Sequence, residues 1–109
     1  MKIAITSQGM NLDDPVDSRF GRCAYFLISK ENDETSESIK NEPGASGAGV
    51  EAAQKLANAG VEAVITGNLG PKASRALRTA GIKAFYFSGG SGREAILAFR
   101  EGKLNELYN

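Results

Sequence analysis

The segment EAVITGNLGPKASRALRTAGIKAFYF, residues 62–87, decides the fold of this chain. It opens on a short run of small and β-branched residues, 62–66, and closes on a second apolar run, 82–87, and both runs are typical of buried strands. Between them, Pro71 suits the first turn of a helix and Gly81 suits its end. The apolar residues of this middle stretch recur at helical spacing, at Ala73, Ala76, Leu77 and Ala80. A strand, a helix and a strand in this order predict two parallel strands joined by a right-handed crossover.

The flanking segments extend this unit on both sides. A first helix begins near Ala48, and a capping box formed by Ser91 and Glu94 starts a last helix near Gly92. A short turn at 30–35 favours antiparallel pairing of the early strands. The early strands are predicted at residues 2–7, 24–29 and 36–40. The resulting order, β-β-β-α-β-α-β-α, predicts an α/β fold in three layers, with a five-stranded mixed sheet of order 3-2-1-4-5 and three helices. This is the ribonuclease-H-like arrangement.

The composition restricts where the protein works and what it binds. The chain has 109 residues, which fits a single domain over residues 1–109, and its 13 basic and 13 acidic side chains leave no net charge. A balanced charge argues against nucleic acid as the main partner, because phosphate binding normally leaves a basic excess. No apolar run approaches the roughly 20 residues of a membrane span. The single cysteine suits a reducing compartment, so we expect a cytoplasmic protein with no membrane attachment.

The predicted topology brings the glycine-rich loops to one edge of the sheet, at the carboxyl end of the first strand. In open α/β sheets this is the edge where ligands bind. Three helices begin there, and their unpaired N–H groups favour an anion. The loops at this edge are 19–23, 43–49, 67–70 and 88–92. The residues predicted to line an anion-binding site are Arg19, Phe20, Gly21, Arg22, Cys23, Gly47, Gly49, Gly67, Asn68 and Gly70.

Two arginines flank Phe20 and Gly21 just before the second strand. Arg19 and Arg22 are spaced to clamp an oxyanion or a negatively charged cluster. The alternative is that they pair with Asp13, Asp14 or Asp17, the three aspartates of the same loop. The sequence leaves both interpretations open.

Cys23 is the one candidate metal ligand in the chain. The neighbouring arginines would favour its thiolate, which binds soft metals. The alternative is a small apolar residue packed at the end of a strand. One cysteine without any histidine cannot form a closed protein metal site, so Cys23 would help only to hold a preassembled cluster.

No catalytic group is recognisable in the sequence. Ser7 and Ser88 have no base partner, which makes nucleophilic catalysis improbable. The aspartates 13, 14 and 17 surround Pro15, where they suit turns better than the fixed carboxylates of two-metal nucleases. We therefore expect a binding protein and not an enzyme.

The chain resembles the dinitrogenase iron–molybdenum cofactor biosynthesis family, which includes NifX-type carriers and the C-terminal domain of NifB-type proteins. The matching pieces are MKIAI at 1–5, DSRFGR at 17–22, YFLI at 25–28, GAG at 47–49, ITGNLGP at 65–71, AGIK at 80–83, AILAF at 95–99 and GKL at 102–104. They span nearly the whole chain in order, which is far more specific than any one of them alone.

The resemblance implies a non-catalytic carrier that binds an iron–sulfur or iron–molybdenum type cofactor, or its precursor. It also implies proteins that donate this cargo and proteins that receive it. Many relatives have histidine where this chain has Arg19, and some have one near Gly47, so the cargo is expected to be held weakly. The alternative is a regulatory module of the same fold without cofactor, which binds a small anion or a protein.

Overall fold

Five strands and three helices follow one another in the order that the sequence predicts. The computed structural model describes residues 1–30, 35–43 and 47–107, so parts of the predicted turn 30–35 and of the predicted loop 43–49 lie outside the described residues. The strands are β1 (Lys2–Ser7), β2 (Tyr25–Lys30), β3 (Glu37–Lys40), β4 (Ala63–Thr66) and β5 (Lys83–Tyr86). The helices are α1 (Ala48–Asn58), α2 (Pro71–Thr79) and α3 (Gly92–Arg100). Each strand boundary lies within one residue of its prediction.

The five strands form one mixed sheet in the order β3-β2-β1-β4-β5, which confirms the predicted order. β2 is antiparallel to β1 and to β3, whereas β4 is parallel to β1 and β5 is parallel to β4. The carboxyl ends of β1, β4 and β5 therefore share one edge of the sheet, and β2 begins at that edge. We call this the upper edge.

The two faces of the sheet carry different helices, because successive residues of a strand point to opposite faces. The α1 and α2 face is packed with buried residues that include Ala4, Phe26, Leu56, Val64 and Leu77. The α3 face is packed with buried residues that include Ile3, Ile5, Leu27, Ile65 and Ile96. No helix among the described residues is long and apolar enough to cross a membrane.

The N-terminus of α3 is closed by hydrogen bonds. The predicted capping box is present: the Ser91 hydroxyl accepts from the N–H of Glu94 at 3.2 Å, and the Glu94 carboxylate accepts from the N–H of Ser91 at 2.9 Å. The N–H groups of Gly92 and Arg93 donate to carbonyl groups of residues 12–14, at 3.1 and 2.8 Å. The first N–H groups of α3 are therefore already bonded and are not available to a ligand.

Candidate functional site

A cleft of about 490 Å³ opens at the upper edge, on the face that carries α1 and α2. Three segments form it: the loop 19–22, the start of α1 at 47–50, and the start of α2 with the residues before it. The predicted site residues that line this cleft are Arg19, Phe20, Gly21, Arg22, Gly47, Gly49, Asn68 and Gly70. The topology thus brings together three separate pieces of the predicted site.

Two predicted residues and one predicted loop lie away from the cleft. Cys23 is buried below it, with 1% of its surface exposed. Gly67 packs against the backbone of Ser18 and does not line the cleft. The loop 88–92 follows β5 at the upper edge, as predicted, but it leads into α3 on the opposite face of the sheet. It therefore does not line the cleft between α1 and α2.

Two glycines allow the walls of the cleft to approach each other. A Cβ on Gly21 would stand 2.8 Å from the backbone nitrogen of Gly49, and a Cβ on Gly49 would stand 2.8 Å from the Cβ of Ala73. Real Cβ atoms do not approach other atoms that closely. The loop therefore packs directly on the backbone of α1, and the first turn of α1 packs directly on the first turn of α2.

The N-termini of α1 and α2 both open into the cleft without a side-chain cap. Their N-cap residues are Gly47 and Gly70, which have no side chain to accept a hydrogen bond. Among the described residues, none accepts a hydrogen bond from the N–H groups at 48–50 or 72–73. These N–H groups and the positive ends of two helix dipoles therefore face one space, an arrangement that favours an anion.

Arg19 forms an ion pair with Asp17, which answers the question that the sequence left open for this residue. Its Nε donates to one carboxylate oxygen and its Nη2 donates to the other, both at 3.1 Å. Its backbone N–H also donates to the same carboxylate at 3.0 Å. Arg22 and Lys72, by contrast, are exposed and have no ion-pair partner among the described residues. They are the cations of the cleft that are available to a ligand.

Asp17 anchors the loop beneath the cleft, where it is buried. Burial alone raises the pKa of its carboxyl, but the hydrogen bonds and the charge of Arg19, with the N–H of Ala24, outweigh burial and hold the pKa below its usual value. The backbone of Asp17 is tied to β1, because its N–H donates to the carbonyl of Thr6 at 2.8 Å and its carbonyl accepts from the Thr6 hydroxyl at 2.6 Å. The loop is therefore fixed to the sheet directly below the cleft.

The Cys23 thiol is buried, as in the second of the two interpretations that the sequence left open. Burial, and then the charge of Asp17, raise the pKa of the thiol to about 12 against an ordinary value of 9.0, and the opposing effect of Arg19 is smaller. Asn41 covers this region by donating to the carbonyls of Gly21 and Cys23 at 3.0 and 2.9 Å. Within the ranges that the structure describes, no group of three or more histidine, cysteine or acidic side chains is placed to hold a metal ion.

Five residues that line the cleft were not among the predicted site residues: Ala48, Val50, Pro71, Lys72 and Ala73. All of them lie in the first turn of a helix whose preceding glycine was predicted. The signal was available, because a ligand at a helix N-terminus contacts the first turn as well as the N-cap. Lys72 matters most, since it adds a second unpaired cation.

We expect Gly21→Ala to lower the free energy of unfolding by about 1–3 kcal/mol, because the added methyl group would press on the backbone of α1. Urea unfolding followed by circular dichroism measures this. Gly70→Ala is the matched control, since a Cβ at Gly70 meets nothing within 4 Å and its φ of −74° is ordinary. Equal unfolding midpoints for the two variants would contradict the expectation.

We expect Cys23 of the folded protein to react with a thiol reagent at about pH 8 much more slowly than the unfolded chain does. Rapid labelling of the folded protein at about pH 8 would show that the thiol is accessible.

The pKa of Cys23 is raised in the folded state, so its contribution to stability is complete below the unfolded pKa near 9 and is lost as pH rises toward about 12. Wild type should therefore lose free energy of unfolding relative to Cys23→Ala as the pH rises through that range.

Comparisons with known proteins agree with this geometry. Uncharacterized protein MJ0580 of Methanocaldococcus jannaschii is 38% identical over 98% of this chain and 92% of its own length. The apo form of the orange protein from Desulfovibrio gigas superposes with a TM-score of 0.94 at 38% identity, covering 99% of this chain and 93% of that one. A NifB-type protein from Thermotoga superposes with a TM-score of 0.87 at 39% identity, covering 99% and 94%.

The family model described as dinitrogenase iron–molybdenum cofactor matches residues 1–102, which is nearly the whole chain. The cleft, α1, α2 and α3 all lie within that match. The resemblance found in the sequence motifs is thereby confirmed, and the chain belongs to the dinitrogenase iron–molybdenum cofactor family.

Proposed function

We propose that this protein is a non-catalytic carrier that binds an anionic iron–sulfur or iron–molybdenum type cofactor, or its precursor, in the cleft. One observation carries the proposal: two uncapped helix N-termini face the same cleft beside the unpaired cations Arg22 and Lys72. Metal–sulfur clusters are commonly anionic, so the charge of the cleft suits them. The cargo would come from one protein and pass to another in the cytoplasm.

The residues of the cleft fit such a cargo by charge and size, not by coordination. Among the described residues, no side chain that lines the cleft is a cysteine, histidine or carboxylate. The cluster would therefore keep its own ligands and be held by N–H groups and by the two cations. Cys23 would contact the cargo only if the loop above it opened, because the thiol is buried.

We expect the cleft to bind the cargo with moderate affinity. Two unit charges about 4 Å apart interact by roughly 4 kcal/mol at an effective dielectric constant of about 20. Each helix N-terminus adds about 0.3–1 kcal/mol. Part of this favourable electrostatic energy is offset by the cost of desolvating the exposed side chains and by the entropy lost when they become ordered. Binding without a coordinate bond is readily reversible, as delivery to another protein requires.

The comparisons support a bound cofactor. The solved orange protein is described as an apo form, which means that this relative also has a state with a bound group. The NifB-type relative and the family description connect the fold with the iron–molybdenum cofactor of dinitrogenase. The backbone of this chain is nearly the same as that of the orange protein, with a TM-score of 0.94, which supports a comparable bound group here.

A second function is favoured by the lack of metal-ligating side chains in the cleft. In that case the protein is a regulatory module without cofactor, and the cleft binds a small anion or a protein. The two functions differ in one measurable respect, which is whether a metal–sulfur cluster binds more tightly than a simple anion such as sulfate.

The test is anaerobic mixing of the protein with a synthetic, anionic iron–sulfur cluster, followed by gel filtration and absorption spectroscopy. We expect wild type to retain the cluster, and Arg22→Ala and Lys72→Ala each to weaken binding about tenfold, because each removes a charged donor. Lys83→Ala is the matched control: it makes the same change in net charge at the start of β5, on the opposite edge of the sheet. It should retain the cluster as wild type does.

Other results of the same experiment would favour the second function or exclude the cleft as the site. If wild type retains no cluster but binds sulfate in the cleft, the regulatory module is the better account. If Lys83→Ala weakens retention as much as Arg22→Ala, binding is non-specific and the cleft is not the site. Loss of the cluster in Cys23→Ala alone would show that the cysteine is a ligand after all.

Gly70→Val tests the position of the cargo by size. We expect this variant to fold, because Gly70 has an extended backbone, φ −74° and ψ 166°, that suits valine and the residue before a proline. Its side chain would take up space at the start of α2, beside the N–H groups that face the cargo. Cluster retention should fall while the free energy of unfolding stays within about 1 kcal/mol of wild type. Unchanged retention would place the cargo elsewhere.

A further inference from the structure

A second depression runs from the cleft along the outside of the protein, between α1 and α2. It encloses about 670 Å³ and we call it the α1–α2 groove. Val50 and Lys72 line both the cleft and the groove, so the two are continuous. Val50 is 44% exposed, and its apolar surface faces the junction between them.

The groove is positively charged. Helix α2, PKASRALRT, has three cationic residues and no acidic one. Lys72 and Arg75 lie about 4.5 Å apart along the helix axis, at the i, i+3 spacing that places them on the same face. Neither has an ion-pair partner among the described residues. None of the described residues that line the groove is acidic. Because the whole chain is electrically balanced, this excess is local.

The floor of the groove leaves room for a backbone. Ala57 of α1, Ala76 of α2 and Ala80 just after α2 line it, with Gln54 and Thr79 at its sides. Short side chains allow the backbone of a second helix to approach closely. A helix lying there would place its carboxylates opposite the cations of α2 and its small apolar residues on the alanines.

We propose that the α1–α2 groove docks an acidic amphipathic helix of a partner protein. The partner's charge follows from complementarity to Lys72 and Arg75, and its shape follows from the length and floor of the groove. That the partner donates or receives the cargo rests on the proposed function, but the docking itself does not. It requires only the surface described above.

The shared lysine couples docking to the cleft. An acidic helix that pairs with Lys72 withdraws that charge from an anion in the cleft, and its own carboxylates repel the anion. Docking therefore weakens the hold on an anionic cargo, and by reciprocity the cargo weakens docking. A partner that touches this groove would promote release at the moment of contact.

The experiment uses the full chain, labelled with ¹⁵N, without cargo. It is titrated with a synthetic helical peptide that has glutamates on one stripe and alanines on the adjacent stripe. A scrambled peptide of the same composition is the control ligand. We expect amide shifts at Gln54, Ala57, Ala76 and Thr79 with the patterned peptide, and weaker, scattered shifts with the scrambled one. Raising the salt from about 0.05 to about 0.5 M should suppress the binding.

Variants locate the interaction. Arg75→Ala should weaken peptide binding about threefold, the size of one exposed ion pair, and the double variant with Lys72→Ala about tenfold. Lys83→Ala should leave it unchanged. The proposal is overturned if no shifts occur on α1 and α2, if both peptides bind alike, or if Lys83→Ala weakens binding as much as Arg75→Ala. Since no cluster is present, groove docking and cluster retention can each fail without the other.

Discussion

The close approach of three backbone segments at the upper edge is the constraint on which the site depends. Gly21 lies against Gly49, and Gly49 lies against Ala73, at distances that no side chain could occupy. This packing places two helix N-termini side by side, although their positive dipole ends repel each other. The buried residues beneath them, among them Leu56 and Leu77, hold the helices together. An anion in the cleft relieves that repulsion, so the empty cleft is electrostatically the less favourable state.

The helix N-termini on the two faces of the sheet differ in their hydrogen bonding. On one face, α3 begins with its N–H groups bonded to Ser91 and to the loop 12–14. On the other, α1 and α2 begin at glycines with nothing to cap them. A glycine N-cap is less stabilising than a capping Ser, Thr, Asn or Asp by about a few tenths of a kcal/mol. The capping box therefore stabilises the start of α3, and the two helices at the cleft begin without one.

The fold could be predicted from the sequence because it follows from chain direction and from the positions of the glycines. Eight of the ten residues predicted for the site line the cleft, where the predicted topology places their loops. The sequence left the state of Cys23 open, because the burial of a thiol depends on the loop that folds over it. It also did not indicate that the loop 88–92 leads away from the cleft, because the face on which α3 packs is set by the tertiary structure. Lys72 lies in the first turn of α2, two residues beyond the glycine on which the prediction rests.

The donors that line the cleft are backbone amides, the side chains of Arg19, Arg22 and Lys72, and the amide of Asn68, and the chain contains no histidine. Imidazole is the side chain whose ordinary pKa lies between about 5 and 8. A site built from imidazole would gain and lose charge across that range, and its affinity would vary with the acidity of the cell. No imidazole lines this cleft, so histidine titration contributes nothing to any variation in binding with acidity.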